Sequence, residues 1–414
     1  MLKLRPAFSS DGLKSLSLKV IKILLNFRFL CCGTHVKGLS NSFLPIQRTS
    51  ILLMRSRPRL VLSLMMIASF FDSPAFAWGE RGHDLIARVA ARLVAQRSKD
   101  PALFVPFAAK EHMLGHLANI PDIHFRDLPE GKSLEGPTHY FDSEYLFATP
   151  SLQGFPVSIA EAAKLSEAHG KNLYSEVGTA PWRIAQLFDL YVGALKSAKS
   201  PDPSKALGKA EIEEAVNRAL VYAGVMAHYV GDLAQPLHTT VDYDGWKKDQ
   251  GGIHSYFEEA IVNAFPLSLD YEVFAAASRE HPQTKIWTSL PASQRISAGR
   301  NPVLVAAALI ADSHEDLNKL FKLDKSVCVI KPSRSEPIKI PAERKPAAQV
   351  AESFRPMVID RLATGADALS HLWQVGWELA GKPDLSQYKS YAYQLAPAYI
   401  APDYIPAAPT PLPK

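Results

Sequence analysis

The sequence predicts an all-α fold, and three observations carry that expectation. Apolar residues recur at helical spacing along much of the chain, strand-like alternation is scarce, and stretches rich in Pro, Gly and Asp separate the periodic segments. From Asp84 to Gln96, Leu85, Ile86, Val89, Leu93 and Val94 form one stripe. Pro181 suits a first helical turn, where its missing N–H costs nothing, and it opens a helix from Trp182 to Ala198. Ile184, Leu187, Phe188, Tyr191, Val192 and Leu195 share one side of that helix. Ala210 to Gly231, His254 to Phe265, Val303 to Leu323 and Ser353 to Gly381 read as further helices. Ala118 to Phe155, Thr239 to Gly252 and Ser333 to Pro346 read as loops. Six prolines between Pro397 and Pro413 make 396–414 an extended, unpacked tail. No internal repeat is visible.

The N-terminal part of the pattern belongs to targeting. Met54-Arg55-Ser56-Arg57-Pro58-Arg59 is a positive n-region, Leu60 to Phe71 an apolar h-region, and Ala75-Phe76-Ala77 a small-x-small cleavage site. Residues 54–77 therefore read as a signal peptide, giving an exported protein, periplasmic or secreted, that begins at Trp78. Residues 1–53 hold a weaker apolar run interrupted by Lys22 and Arg28. It is too short and too charged for the ~20 residues that span a bilayer. Of an uncleaved anchor and a start codon assigned too far upstream, we favour the second, with translation from Met54. Residues 78–395 then form one domain.

The formal charge of +5 is misleading. Residues 1–77 hold 11 of the 46 basic and 2 of the 41 acidic residues, so residues 78–414 have 35 against 39, a charge of −4. No bulk basic field for nucleic acid exists there, and any polyanion must be gripped locally. Cys31 and Cys32 precede the cleavage site, which leaves Cys328 alone as an apolar filler with no disulfide to form.

The chemistry-bearing residues cluster. His228 and Asp232 are four apart on a predicted helix and project from one face; Pro236 ends or bends it, and His238 comes next on the turn. His254 and Glu258 repeat the pairing of histidine with a carboxylate at i,i+4. Upstream, Asp122 and His139 sit on loops, and His83 lies five residues after Trp78. A Trp78 freed by cleavage offers its amine and carbonyl oxygen as a bidentate metal ligand. Each piece alone is more often structural than functional, and His112, His116, His124, His169, His281, His314 and His371 are read as ordinary histidines. Together, imidazole and carboxylate oxygen suit zinc at three or four protein ligands per ion. Nine candidates with one bridging carboxylate fill three such sites.

In these motifs the chain resembles the superfamily of the zinc-dependent phospholipases C and the S-one/P-one type zinc nucleases, closest to the latter. Matching segments run from Trp78 to about Ala260, and Val177-Gly178-Thr179-Ala180-Pro181-Trp182 belongs with them. The resemblance implies a multi-helix bundle with long loops around a trinuclear zinc cleft. Asp122, His139 and His228 would hold one zinc, Trp78 and His83 a second, with Asp232 bridging the two. His238, His254 and Glu258 would hold the third. Asp122, Asp232 and Arg126 are the catalytic candidates; Tyr140 would stack a base and Asp142 accept from a base edge. The implied activity is endonucleolytic hydrolysis of single-stranded DNA and RNA at the bond to the 3′ oxygen, with no stable protein partner.

Departures from the nuclease pattern bear on the substrate. Trp78-Gly79-Glu80-Arg81-Gly82-His83 matches the nuclease start fully. Gly251-Gly252-Ile253-His254 is compressed, however, and the last pair ends in Glu258, as in the phospholipases. The nuclease arginine three residues after the loop aspartate is replaced by Phe125, with Arg126 one later. The alternatives are therefore a phospholipase C acting on phosphatidylcholine-like lipids and, from another class, a catalytically silent metal-binding exported protein.

Overall fold

The computed structural model describes residues 78–199, 204–279 and 291–405; the expected presequence, signal peptide and last nine residues lie outside these. The fold is all-α. Helix α1 (Glu80–Ser98) has Glu80 in its first turn and Arg97 in its last, which complements the helix dipole, and ends at Lys99 in the left-handed region (φ 52). Asp100 opens α2 (Pro101–Ala109) by accepting from the Ala102 N–H at 2.9 Å, and α3 (Glu111–Leu117) comes next. Helix α4 (Ile159–Ala168) starts on a reciprocal cap in which the Ser158 hydroxyl and Glu161 carboxylate each take the other's backbone N–H.

Helices α5 (Ala180–Ser197) and α6 (Ala206–Ala234) form the centre. The chain continues through α7 (Leu269–Ser278), α8 (Ala292–Gly299), α9 (Pro302–Glu315), α10 (Leu317–Leu323) and α11 (Ala347–Leu379). Helix α6 packs on α3, α5, α9 and α11, while α1 packs on α2, α3 and α11. Their shared core includes Ile86, Leu93, Met226, Tyr229 and Trp373, all fully buried. Burial of side chains this size stabilises by roughly 1.5–3 kcal/mol each. Among the described residues one small sheet exists, Val329–Lys331 antiparallel to Glu343–Arg344. No described helix is long and apolar enough to cross a membrane.

Two expectations are corrected. The predicted helix from Val303 to Leu323 is broken: α9 and α10 are separated at Asp316, whose N–H turns to the Ser313 carbonyl at 3.1 Å, three residues back rather than four. The Pro-rich tail is extended but not unpacked over 396–405. Arg183 donates to the Ile400 carbonyl at 2.5 Å and Gln186 to that of Ala401 at 2.8 Å, and Tyr399 and Tyr404 pack against the core. Composition excluded a helix there; it could not exclude docking through backbone carbonyls.

Candidate metal centre

Asp122, His139, His228, Asp232, His238, His254, Glu258 and His83, drawn from six separate segments, meet in the interior, none more than 8% exposed. Helix α6 supplies His228 and Asp232 from one face, and α1 crosses close enough to set His83 beside them. A Cβ on Gly231 would lie 2.8 Å from His83 Nδ1, so this approach requires glycine. The His83 ring stacks on His228 with centroids 4.1 Å apart. Asp122 comes from the helical turn Ile120–Ile123 and His139 from Gly136–His139. His238 comes after α6 on the turn Pro236–Thr239. His254 and Glu258 lie on successive turns of helical backbone, widened to π geometry over Tyr256–Ile261. Such widening is frequent at functional sites.

These side chains present acceptors to one another. His228 donates Nδ1–H to the Ala118 carbonyl at 2.8 Å, because a carbonyl can only accept. Its bare Nε2 then faces His139 Nδ1 at 2.9 Å, Asp232 Oδ2 at 3.4 Å and Asp122 Oδ1 at 3.8 Å. Asp232 Oδ2 is also 3.1 Å from His139 Nδ1, whereas Oδ1 turns the other way, 3.4 Å from His83 Nε2. Neither His83 nitrogen nor Asp232 Oδ1 has a hydrogen-bond partner. Burial holds His83, His139 and His228 well below the usual imidazole range, which favours their neutral forms. Neutral imidazoles carry too few protons for this many acceptors. Burial, with Asp122 next to it, pushes Asp232 well above the usual carboxylate range. Buried acceptors and converging carboxylates call for cations.

The remaining group repeats the arrangement. His238 donates Nδ1–H to the His139 carbonyl at 2.7 Å and His254 its Nδ1–H to that of Tyr243 at 3.2 Å. Their Nε2 atoms are 3.1 Å apart, and Glu258 Oε2 is 2.8 Å from His254 Nε2 and 3.8 Å from His238 Nε2. Against the effect of burial, His254 and His238 hold Glu258 below its usual range. Three sets of ligand atoms could hold a metal ion: His83, His228 and Asp232; Asp122, His139 and His228; His238, His254 and Glu258. Asp232 thus offers one oxygen towards each of two adjoining positions.

Trp78 is the remaining candidate. Its fully buried indole lies against α1, where a Cβ on Gly82 would come within 2.8 Å of Trp78 Cβ, and its ring is 5.5 Å from Phe257. The expected cleavage after Ala77, on which a free Trp78 amine depends, lies outside the described residues. Arg126 reaches Asp122, Nη1 to Oδ1 at 3.2 Å, although it stands one place later than the nuclease pattern. Phe125 is buried and edge-on to Tyr399 at 5.2 Å, which leaves Arg126 at i+4 from the aspartate.

Tyr140 and Asp142 line a cleft of about 530 Å³ together with Arg126, His139, His238 and His254. Tyr140 OH donates to the Ser175 carbonyl at 3.4 Å. Gly178 (φ +94) makes room for this segment, since a Cβ there would lie 2.2 Å from the Tyr140 carbonyl oxygen. Burial, with Glu144 adding to it, pushes the Asp142 carboxyl up to about 8. Tyr145 and Tyr243 also line this cleft and were not singled out from the sequence. Neither was Gln235, which donates to Glu258 Oε2 at 3.1 Å, nor the fully buried Glu135, 3.6 Å from His139 Nε2 and paired with Arg183 at 3.0 Å. The first sits beside a visible motif; the partners of Glu135 lie too far along the chain for spacing to reveal. Cys328 is buried, its thiol pushed up to about 11 by burial, in keeping with an inert filler.

No curated protein matches this chain. Residues 78–258 match the family model described as S1/P1 Nuclease, a stretch whose ends coincide with the first and last candidate ligands. The match spans 181 of the 414 residues and makes the segment that holds all nine candidate ligands similar to the S1/P1 nuclease family; three groups of side chains within it could hold metal ions.

Proposed function

We propose that the protein is an exported zinc phosphodiesterase that holds three zinc ions and hydrolyses single-stranded DNA and RNA at the bond to the 3′ oxygen. The observation that carries this reading is the pair of Asp232 oxygens aimed at two adjoining acceptor clusters. Zinc at such groups supplies a nucleophilic water near neutral pH and charge for the phosphoryl oxygens. The chain's own residues do the rest. The backbone carbonyls of Ala118, His139 and Tyr243 fix the ring orientation of His228, His238 and His254, which keeps Nε2 turned inward. Arg126, beside Asp122 and lining the cleft, is placed to bind a phosphoryl oxygen. Tyr140 offers a ring to an unstacked base, which is why single strands are favoured. Export of the chain, with cleavage between Ala77 and Trp78, is part of the same proposal.

Glu258 favours a second reading, since a glutamate there resembles the phospholipases C. The two are separated by assaying the processed protein on single-stranded DNA and RNA and on phosphatidylcholine. Hydrolysis of the nucleic acids is expected; turnover of lipid alone would remove the nuclease reading. Three bound zincs with no hydrolysis of any phosphodiester would support the silent metal-binding protein instead.

Glu258 also yields a graded expectation. Glu258→Asp keeps a carboxylate on the same turn and should retain most activity. Glu258→Ala leaves His238 and His254 alone and should weaken one zinc of three, read as stoichiometry against a graded chelator.

A further inference from the structure

The ten residues from Tyr243 to Gly252 carry His254 into the site on largely irregular backbone. Gly245 (φ +76), Asp249 (φ 58) and Gly252 (φ +85) sit in the left-handed region, and the stretch contains one short helical turn, Trp246–Lys248. Such backbone has much conformational freedom to lose. Local hydrogen bonds tie part of it, among them His254 N–H to Asp244 Oδ1 at 3.1 Å and Gly252 N–H to the Asp244 carbonyl at 3.1 Å, and a distant segment, 324–345, closes over it.

Within that segment Arg344, its side chain 5% exposed, donates through Nη2 to the Gln250 carbonyl at 2.5 Å and through Nη1 to the Gly251 carbonyl at 3.1 Å. Two further N–H groups grip the fully buried Asp324, Nε to Oδ1 at 2.8 Å and Nη2 to Oδ2 at 2.9 Å. Gln250 completes the ring by donating to Asp324 Oδ2 at 2.8 Å. Backbone contacts reinforce it: Ala342 N–H donates to the Gly251 carbonyl at 2.9 Å, and Gly251 N–H to Ser333 Oγ at 2.9 Å. The clamped carbonyls lie three and four residues before His254.

We propose that Arg344 is a positioning residue for the third metal group, its planar fork fixing the Gln250–Gly251 backbone so that His254 Nε2 is held towards His238 and Glu258. The inference rests on the reading of those three residues as metal-holding. A lysine cannot reproduce the function, because one ammonium cannot satisfy two carbonyls and both carboxylate oxygens in a plane. Asp324 serves the same end by keeping the guanidinium oriented.

Zinc stoichiometry of the full processed chain, measured by equilibrium dialysis against a graded chelator, tests this. Wild type should hold three zincs. Arg344→Ala should keep two at wild-type affinity and bind the third about 10–100-fold more weakly, the loss usual for an outer-shell partner. Arg344→Lys should fall between. Amide hydrogen exchange in metal-free protein should quicken over 243–252 in both variants. Ser333→Ala removes only the acceptor for Gly251 N–H, so a smaller shift in the same direction is expected even if Arg344→Ala fails to fold. Three zincs of unchanged affinity in Arg344→Ala, or unchanged exchange over 243–252, would overturn the positioning role. Two zincs in wild type itself would overturn the metal reading beneath it.

Discussion

Asp232→Asn is expected to reduce zinc content and turnover together, with the helical fold intact. The side chain is nearly isosteric and sits on α6, with its carboxylate against His83, His139 and His228. The charge is what changes. One oxygen lies 3.1 Å from His139 Nδ1 and the other 3.4 Å from His83 Nε2, so an amide weakens both adjoining positions at once. Bound zinc should fall from three towards one, the survivor being held by His238, His254 and Glu258. Turnover should drop by about a thousandfold or more, roughly 4 kcal/mol of transition-state stabilisation. Metal analysis and single-turnover rates on one preparation measure both quantities; near-normal turnover with three metals retained would refute the bridge.

The second large effect concerns the N-terminus. If cleavage after Ala77 frees the Trp78 amine to bind metal, then export is a step in site assembly. The amine must be neutral to bind, and its ordinary pKa of about 7.7–8.0 makes that inexpensive near neutral pH. A chain retaining one extra residue, such as an initiator methionine before Trp78, replaces the amine with an amide nitrogen that binds zinc poorly. It should lose the zinc beside His83 and nearly all hydrolysis, while circular dichroism and the third zinc stay unchanged. The competing possibility is that Trp78 acts only through its indole, which is fully buried against Gly82 and Phe257. In that case the extra residue is harmless, and the two forms should be equally active.

How far the sequence could be read varied with the range of the forces involved. Helices α1, α5 and α6 lie within four residues of their expected ends, the first two because each buries an apolar stripe at helical period, whereas α11 begins six residues before the expected Ser353. Helix α2 was missed, although Asp100 before Pro101 is a cap and a first-turn proline; its Pro-containing apolar run gave no stripe to follow. Ser158 and Glu161 carried a capping signature at the start of α4 that the apolar pattern alone did not bring out. The eight candidate side-chain ligands could be assembled because His and carboxylate recur at i,i+4 and match a family pattern, and the structure brings all eight together. Their supports could not be. Arg344 acts on Gly251 across 93 residues, and Glu135 meets Arg183 across 48. No local period records such contacts. The docked stretch around Ile400 shows the same limit, since its partner Arg183 lies 217 residues away.

The most direct measurement is anomalous diffraction at the zinc edge from crystals of the processed protein. Three peaks are expected: one among Asp122, His139 and His228, one at His83 and the Trp78 terminus, and one among His238, His254 and Glu258, with an Asp232 oxygen on each of the first two. One or two peaks would contradict a trinuclear zinc centre, and three peaks away from Asp232 would contradict its bridging role.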